Sequence, residues 1–418
     1  MKRIAAACLV GTTIEYYDFF IYGTAAALVF PIAFFPSLSP AMATTASMGI
    51  FAAAFLSRPL GAAVFGHFGD RLGRKKTLVA TLLIMALSTM GVGLVPTTAA
   101  IGLAAPLSLT CLRLLQGFAL GGEWAGSALL SAEYAPADKR GRYSMFTVAG
   151  GGIGTVLTCV TFLGVNYTIG EQSPEFMQWG WRIPFLISGA LIAIALYVRL
   201  HIDETPVFAE EKSRHLVPKA PLVEVLRLHR REVILAAGSA LGYFSIPYMA
   251  SAYLPTYANA HLGHSRTVIL VVGLLGGLGY AAFVAFSATL SDRVGRRRMM
   301  LIGWAACLPW LFVVMPLVDS GNPISYAVAA VGMKAIASIG FGPSGAFIPE
   351  LFPTRYRYSG TALALNIAGV VGGAVPPLIA EALRATYGGW AISLMLATFA
   401  SASLVCIYLL PETNRRAL

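Results

Sequence analysis

Charge is what this sequence has least of. Only 12% of its 418 residues are Asp, Glu, Lys or Arg, against about 25% in ordinary soluble domains, so half the usual water-facing chemistry is missing. Catalytic signatures are missing as well. There is no G-x-x-x-x-G-K-[ST] loop to cradle nucleotide phosphates and no H-E-x-x-H to hold zinc. No nucleophile–base constellation is visible either, so neither an enzyme nor a resident cofactor or metal is expected. The five cysteines (Cys8, Cys111, Cys159, Cys307, Cys406) lie in apolar segments without C-x-x-C spacing and read as small core residues rather than disulfides or ligands. His261-x-x-His264 falls in a short loop and reads as incidental.

What the chain does have is apolar length. Hydrophobic residues make up 57% of it, and they gather in runs of the roughly 20 residues that a bilayer core of about 30 Å demands of a helix. Twelve runs can be marked, near 4–30, 44–66, 77–95, 102–131, 143–168, 183–201, 232–255, 268–290, 299–317, 325–350, 360–383 and 388–410. Lys2 and Arg3 ahead of the first run imitate a signal peptide. That run continues to about Phe30 and carries Glu15 and Asp18, which favours an uncleaved first helix. The expected fold class is therefore an all-α membrane protein of twelve transmembrane helices.

A net charge of +11 could point to nucleic acid, so its distribution decides. The ends at residues 1–3, 67–76, 135–142, 199–231, 291–298, 353–359 and 411–418 hold 24 of the 30 Lys and Arg residues. Arg182, Arg266 and Arg384 fall on the other side, and Arg58, Arg113 and Lys334 fall inside spans. That bias is the positive-inside pattern, with both termini cytoplasmic in an inner membrane. Nucleic acid would need the charges on one face of one domain. The expected partner is the lipid bilayer.

Two motifs recur at nearly one spacing. Gly69-Asp70-Arg71-Leu72-Gly73-Arg74-Lys75-Lys76 returns as Ser291-Asp292-Arg293-Val294-Gly295-Arg296-Arg297-Arg298, and Glu133-x-x-Pro136 with Arg140 returns as Glu350-x-x-Pro353 with Arg355 or Arg357. Each copy lies between spans of the same order, so the chain reads as a duplication. The halves are 1–201 and 232–418, two pseudo-symmetric six-helix bundles joined by a charged linker at 202–231. Parallel repeats of this kind enclose a central cavity in transporters.

The loop Gly66-His67-Phe68-Gly69-Asp70-Arg71-Leu72-Gly73-Arg74-Lys75-Lys76 resembles the G-x-x-x-D-R-x-G-R-[KR] signature of the major facilitator superfamily. Within it the chain resembles the metabolite:proton symporters. The carrying stretches are Gly11-Thr12-Thr13-Ile14-Glu15-Tyr16-Tyr17-Asp18-Phe19, Arg58-Pro59-Leu60-Gly61, Arg113-Leu114-Leu115-Gln116-Gly117, Gly121-Gly122-Glu123-Trp124, Trp181-Arg182-Ile183-Pro184-Phe185 and Glu204-Thr205-Pro206. The likeness runs from residue 11 to about 413 and is nearest the shikimate-type branch. Tyr16 departs from it, since the family more often has Trp there.

Charges inside spans say where a site should be. Glu15, Asp18, Arg58, Arg113, Glu123, Lys334 and Glu381 would together cost on the order of 20 kcal/mol if all faced lipid at mid-depth, so they must face a cavity or one another. Glu15, Asp18 and Tyr22 share one helix face. Arg113, Gln116, Gly117, Leu120 and Trp124 share another, with Glu123 at its margin. The acidic stripe and Arg113 are natural partners, either as a permanent ion pair or as a moving one.

The resemblance implies the moving one: Arg113 with an acid, Asp18 or Glu15, as the proton-coupling group. Arg58 either contacts substrate or satisfies carbonyls freed by Pro59. Lys334 either supplies a second-half cation for an anionic substrate or snorkels to the interface. Tyr243, Tyr248, Tyr253 and Tyr257 suit a gate, with an interfacial belt the commoner role for the last.

Glu133, Arg140, Glu350 and Arg355, together with Gly66, Gly69, Asp70, Arg71, Gly73, Arg74, Asp292 and Arg293, form candidate gate contacts or static helix caps. The cluster Gly150-Gly151-Gly152-Ile153-Gly154 permits close helix packing. The combined expectation is a monomer that takes up a small organic acid or zwitterion with protons by alternating access. A proton-driven exporter of the same fold is the alternative.

Overall fold

The computed structural model describes residues 2–72, 74–170, 173–200, 221–353 and 356–414; within these, it does not describe the side chains of residues 2–4, 7, 66–72, 74–76, 78, 124, 125, 128, 130, 132, 133, 137, 198–200 and 221–223. Every regular element among the described residues is a helix. The long ones are α1 Lys2–Leu28, α2 Pro40–Leu72, α3 Arg74–Leu94, α4 Ala104–Tyr134, α5 Arg140–Ile169, α6 Ile183–Leu200, α7 Arg230–Ala260, α8 Arg266–Val294, α9 Arg296–Asp319, α10 Pro323–Glu350, α11 Arg357–Tyr387 and α12 Gly389–Leu409. Ten stretches among the described residues are long and apolar enough to cross a membrane. The 27-residue α1 and the shorter apolar stretch Val79–Leu94 of α3 complete the twelve.

The helices overrun the apolar runs by several residues, because hydropathy marks where lipid touches while backbone hydrogen bonding continues until something caps it. The Ser265 hydroxyl accepts from the Val268 N–H at 3.3 Å and begins α8. Asn322 accepts from the Ile324 N–H at 2.8 Å, with Pro323 at the first position of α10. Gly295, at φ 105°, takes the left-handed conformation that separates α8 from α9. α7 carries Pro247 and then a π-helical turn at Met249–Tyr253, and α11 carries a π-helical turn at Gly369–Ala374. Such turns mark where the regular ladder is interrupted and often lie at functional sites.

Glycine sets the closest helix contacts. A Cβ on Gly117 or Gly121 of α4 would lie 2.0 Å from the Ala54 carbonyl oxygen or 2.1 Å from that of Arg58, both on α2. This Gly-x-x-x-Gly spacing lets two backbones meet where lipid supplies no hydrophobic drive between helices. In the glycine cluster of α5, Gly152 meets Gly277 of α8, so the earlier and later parts of the chain touch backbone to backbone; an added Cβ on Gly152 would lie 2.6 Å from the Gly277 carbonyl oxygen.

The stretch Trp181-Arg182-Ile183-Pro184-Phe185 is a structural corner. Buried Trp181 meets Phe30, Phe34 and Phe185 edge-on. Arg182 donates to the carbonyls of Gly93 at 2.9 Å and Val95 at 2.6 Å, satisfying the C-terminal end of α3.

Large apolar side chains ring the outside, among them Leu56, Leu60, Leu87, Leu107, Phe286 and Phe312. Hydrocarbon is the solvent that makes such a surface stable, and the protein is a multi-pass membrane protein. Cys111 lies on this exposed face rather than in the core; Cys8, Cys159 and Cys307 are buried as expected, and Cys406 is partly so.

Gly117→Val should cost about 1–3 kcal/mol or more, since the backbone of α2 cannot retreat from the new methyls without parting the pair. Thermal unfolding in detergent checks this. Gly164→Ala, where an added Cβ meets nothing within 4 Å, should leave the melting temperature unchanged or slightly raised.

Candidate functional site

Asp18 of α1 is completely buried, and its carboxylate is held by hydroxyls. Ser188 of α6 donates a short hydrogen bond to Oδ1, and Thr89 of α3 shares its one hydroxyl proton between Oδ2 at 3.4 Å and the Met85 carbonyl at 2.9 Å. The chain of contacts continues across the bundle: Gln116 Nε2 donates to Thr89 Oγ1 at 2.6 Å, and Arg113 Nη1 donates to Gln116 Oε1 at 2.8 Å. Asp18 and Arg113 are therefore connected through Thr89 and Gln116, and the direct ion pair expected between them does not form. The reason is direction: Asp18 turns toward α3 and α6, while the guanidinium lies among the rings of Tyr22 at 4.1 Å, Phe19 at 4.5 Å and Phe51 at 5.0 Å. Arg113 also donates from Nε to the Phe51 carbonyl at 3.3 Å. Tyr22 thus serves as a face for Arg113.

Glu15, one turn earlier on α1, looks elsewhere. It lines a cavity with Tyr16, Phe19, Arg58, Gly121, Phe244, Tyr248 and Asn366, drawn from α1, α2, α4, α7 and α11. That cavity measures about 30 Å³, room for roughly two waters. Arg58 does not bond the carbonyls near Pro59; its guanidinium lies over Phe55 at 4.4 Å and Phe19 at 5.1 Å and bonds the Tyr248 hydroxyl. Glu123, fully buried on α4, is near enough to Asp18 for the two charges to interact.

The later helices add two features. Tyr243 of α7 shares a short hydrogen bond with Tyr16 of α1 and stacks on Phe341 with ring centroids 3.3 Å apart. Lys334 of α10 is 5% exposed, so its ammonium is interior and does not snorkel. Tyr257 is buried and donates to Asp319 at 2.7 Å. Glu381 accepts from Arg384 at 2.7 Å and from Tyr253 at 3.1 Å. His261 lies 3.3 Å from Glu381, so that histidine belongs to a charge cluster and is not incidental.

At the basic end, contacts join early and late helices. Asp292, at the end of α8, accepts from the N–H groups of Gly141 at 2.8 Å and Arg142 at 2.9 Å, capping α5. Glu350, at the end of α10, accepts from Arg296 Nε at 2.6 Å and Nη2 at 3.0 Å and lies 3.7 Å from Arg140 of α5. Thr413 donates to the same carboxylate at 2.6 Å, and Glu412 accepts from the first N–H groups of α9. Arg293 is exposed and joins none of these contacts. The side chains of Asp70, Arg71, Arg74, Trp124 and Glu133, together with Gly73 and Arg355, lie outside what is described, and Gly66 and Gly69 fall in the last turns of α2.

Thr89, Ser188, Glu412 and Thr413 were not singled out in the sequence. Thr89 and Ser188 are isolated small hydroxyls in apolar runs, with nothing to mark them. Glu412-Thr413 did carry a signal, since it repeats the Glu204-Thr205 pair after the sixth span.

The profile of the Major Facilitator Superfamily matches residues 8–377 and, in an overlapping second match, 260–417. The chain belongs to that superfamily and is a membrane transporter of its kind, not an enzyme. Over 423 residues it is 42% identical to the Inner membrane metabolite transport protein YhjE of Escherichia coli K12, covering 100% of this chain and 96% of that protein. It is 37% identical to the Shikimate transporter of the same organism, over 93% of this chain and 89% of that one. It is 33% identical to the Proline/betaine transporter of Salmonella typhimurium, over 100% and 84%. Among solved structures it superposes on the proton:xylose symporter XylE bound to 6-bromo-6-deoxy-D-glucose with a TM-score of 0.78 at 17% identity, covering 98% of this chain and 96% of that one. At that identity the likeness establishes the fold.

Glu350→Ala would leave the fully buried Arg296 with Asp292, 2.9 Å away, as its remaining carboxylate, and should lower stability by about 1–3 kcal/mol. Arg140→Ala removes a contact between α5 and α10 and should cost less, while raising amide hydrogen exchange at the start of α5. Melting curves and exchange mass spectrometry on the two variants check the contrast.

Proposed function

We propose that this protein carries a small organic acid or zwitterion into the cell together with protons, across the inner membrane, by alternating access. The observation that carries the reading is the Asp18–Thr89–Gln116–Arg113 chain. It links a fully buried carboxylate to a fully buried guanidinium beside the cavities between early and late helices. A buried acid that gains or loses a proton alters a hydrogen-bond chain ending on Arg113, so the position of that cation becomes sensitive to protonation.

Asp18 is the proton site in this account, with Glu15 as the second acid and Arg113 as the coupling cation. Arg58, Gln116, Glu123, Trp124, Tyr22, Lys334 and Tyr243 surround the path of the substrate. Halves 1–201 and 232–418, joined by the 202–231 linker, rock against each other. The basic end faces the cytoplasm with both termini. Asp292, Glu350, Arg140 and Arg296, with the signature loop at Asp70, Arg71 and Arg74, hold that end shut until the cycle turns. The protein acts as a monomer.

Energetics favour the direction. Bringing one anionic charge in against an inside-negative potential costs about 2.3 kcal/mol per 100 mV, and a co-transported proton cancels it. The full-length likeness to the Shikimate transporter and the Proline/betaine transporter supports a carboxylate-bearing substrate.

Proteoliposomes test the reading. Uptake of a labelled acid should be driven by an inside-alkaline gradient, whereas an exporter would accumulate solute only with the inside acid. Asp18→Asn should abolish gradient-driven accumulation by about tenfold or more while leaving counterflow exchange measurable, because exchange requires the site but no net proton movement. Unchanged gradient-driven uptake in Asp18→Asn would remove Asp18 from the mechanism.

A further inference from the structure

Two small cavities meet at Lys334. One, about 30 Å³, is lined by Phe20, Thr24, Thr155, Thr158, Cys159, Ser251 and Lys334 among others. The second, about 20 Å³, is lined by Tyr16, Thr155, Tyr243, Tyr248, Ser251, Tyr280 and Lys334 among others. Both walls combine early helices, α1 and α5, with late ones, α7, α8 and α10, so the space lies where the two parts of the chain face each other. No Asp or Glu lines either cavity.

The Lys334 side chain is built into this place. Its stem crosses Gly276 of α8, where an added Cβ would come within 3.0 Å of Cδ and 3.8 Å of Nζ. Among the described residues the ammonium has no hydrogen bond or ion pair. A buried cation without a counter-charge is costly unless an anion or water supplies one. A second polar atom here is also unsatisfied: Ser251 Oγ is buried without a hydrogen-bond partner, and it lines both cavities. Ser251 sits in the π-helical turn of α7, Met249–Tyr253, which aims it inward at an interruption in the helix. Thr155 donates its proton to Gly151 O at 2.9 Å and keeps lone pairs free to accept from a ligand hydroxyl.

We infer that Lys334 and Ser251 form the anchor for the substrate's carboxylate, and that the surrounding Thr and Tyr hydroxyls select a hydroxylated monocarboxylic acid over a quaternary ammonium zwitterion. The reading rests on the transport function proposed above and narrows its substrate class. Charge argues for the acid, since the anchor supplies a cation for a carboxylate while neither cavity supplies an acidic side chain for a cationic head.

Binding to the purified protein in detergent, with no gradient present, tests this apart from proton coupling. The probes are shikimate, its methyl ester and glycine betaine, read by ligand-induced thermal shift and by titration. Shikimate should bind, and the ester, identical except for its lost charge, should bind at least about tenfold more weakly. Lys334→Gln should weaken the acid by about ten- to hundredfold, Lys334→Arg should recover most of it, and Ser251→Ala should weaken it by a smaller factor. Recovery by arginine separates loss of the anchor from loss of the fold. Acid binding within twofold of wild type in a folded Lys334→Gln protein overturns the anchor. Tighter binding of glycine betaine than of the acid overturns the substrate class while leaving proton-driven uptake standing, and a failure of gradient-driven uptake would leave this binding result untouched.

Discussion

An ionised side chain at mid-membrane depth must be solvated by the protein or not exist, and the rest of this structure follows from that constraint. Each such charge facing lipid would cost about 2.5–3.5 kcal/mol. Glu15, Asp18, Arg113, Glu123, Lys334 and Glu381 are all buried, and Arg58 is partly so. None is solvated in the same way. Asp18 is held by hydroxyls, Arg113 by an amide, a carbonyl and ring faces, Arg58 by rings, and Glu381 by Arg384, His261 and Tyr253. Lys334 stands apart with cavity on two sides and no acid in either.

The division of labour between Asp18 and Glu15 follows from three residues of helical rotation. Asp18 points into the early bundle, where Ser188, Thr89 and Gln116 tie it to the helices around it. Glu15 points into the space that early and late helices share. In the proposed cycle this separates a proton site from a substrate path while both remain on α1, so movement of one helix can serve both. The basic end supplies the complementary device. Asp292 caps α5, and Glu350 gathers Arg296, Arg140 and Thr413, so one cluster of contacts holds early and late helices together.

The fold was legible in the sequence because the bilayer imposes a length and a charge bias that survive in any membrane protein: twelve apolar runs, basic ends and a repeated loop. Boundaries were less legible, since a polar turn can stay helical beyond the lipid, as at Pro40 and Ala260. Arg113, Asp18 and Lys334 announced themselves as charges where none should be. Their partners did not. Thr89 and Ser188 matter only through the direction in which Asp18 turns, and direction depends on how α3 and α6 pack, which no local pattern encodes. For the same reason the Asp18–Arg113 contact was foreseen as direct, when ring faces on α1 and α2 hold the guanidinium away. His261 reads as a loop residue until α11 folds Glu381 against it.

The central claim is that a proton on Asp18 and the occupancy of the substrate site between early and late helices are linked. Proton exchange on ligand addition measures this most directly, using weakly buffered detergent-solubilised protein, a pH-indicating dye and the acid that stabilises the protein best. The account predicts that wild-type protein exchanges protons with solution in proportion to bound acid, and that Asp18→Asn binds the acid without that exchange. An identical proton signal from wild type and Asp18→Asn would contradict it.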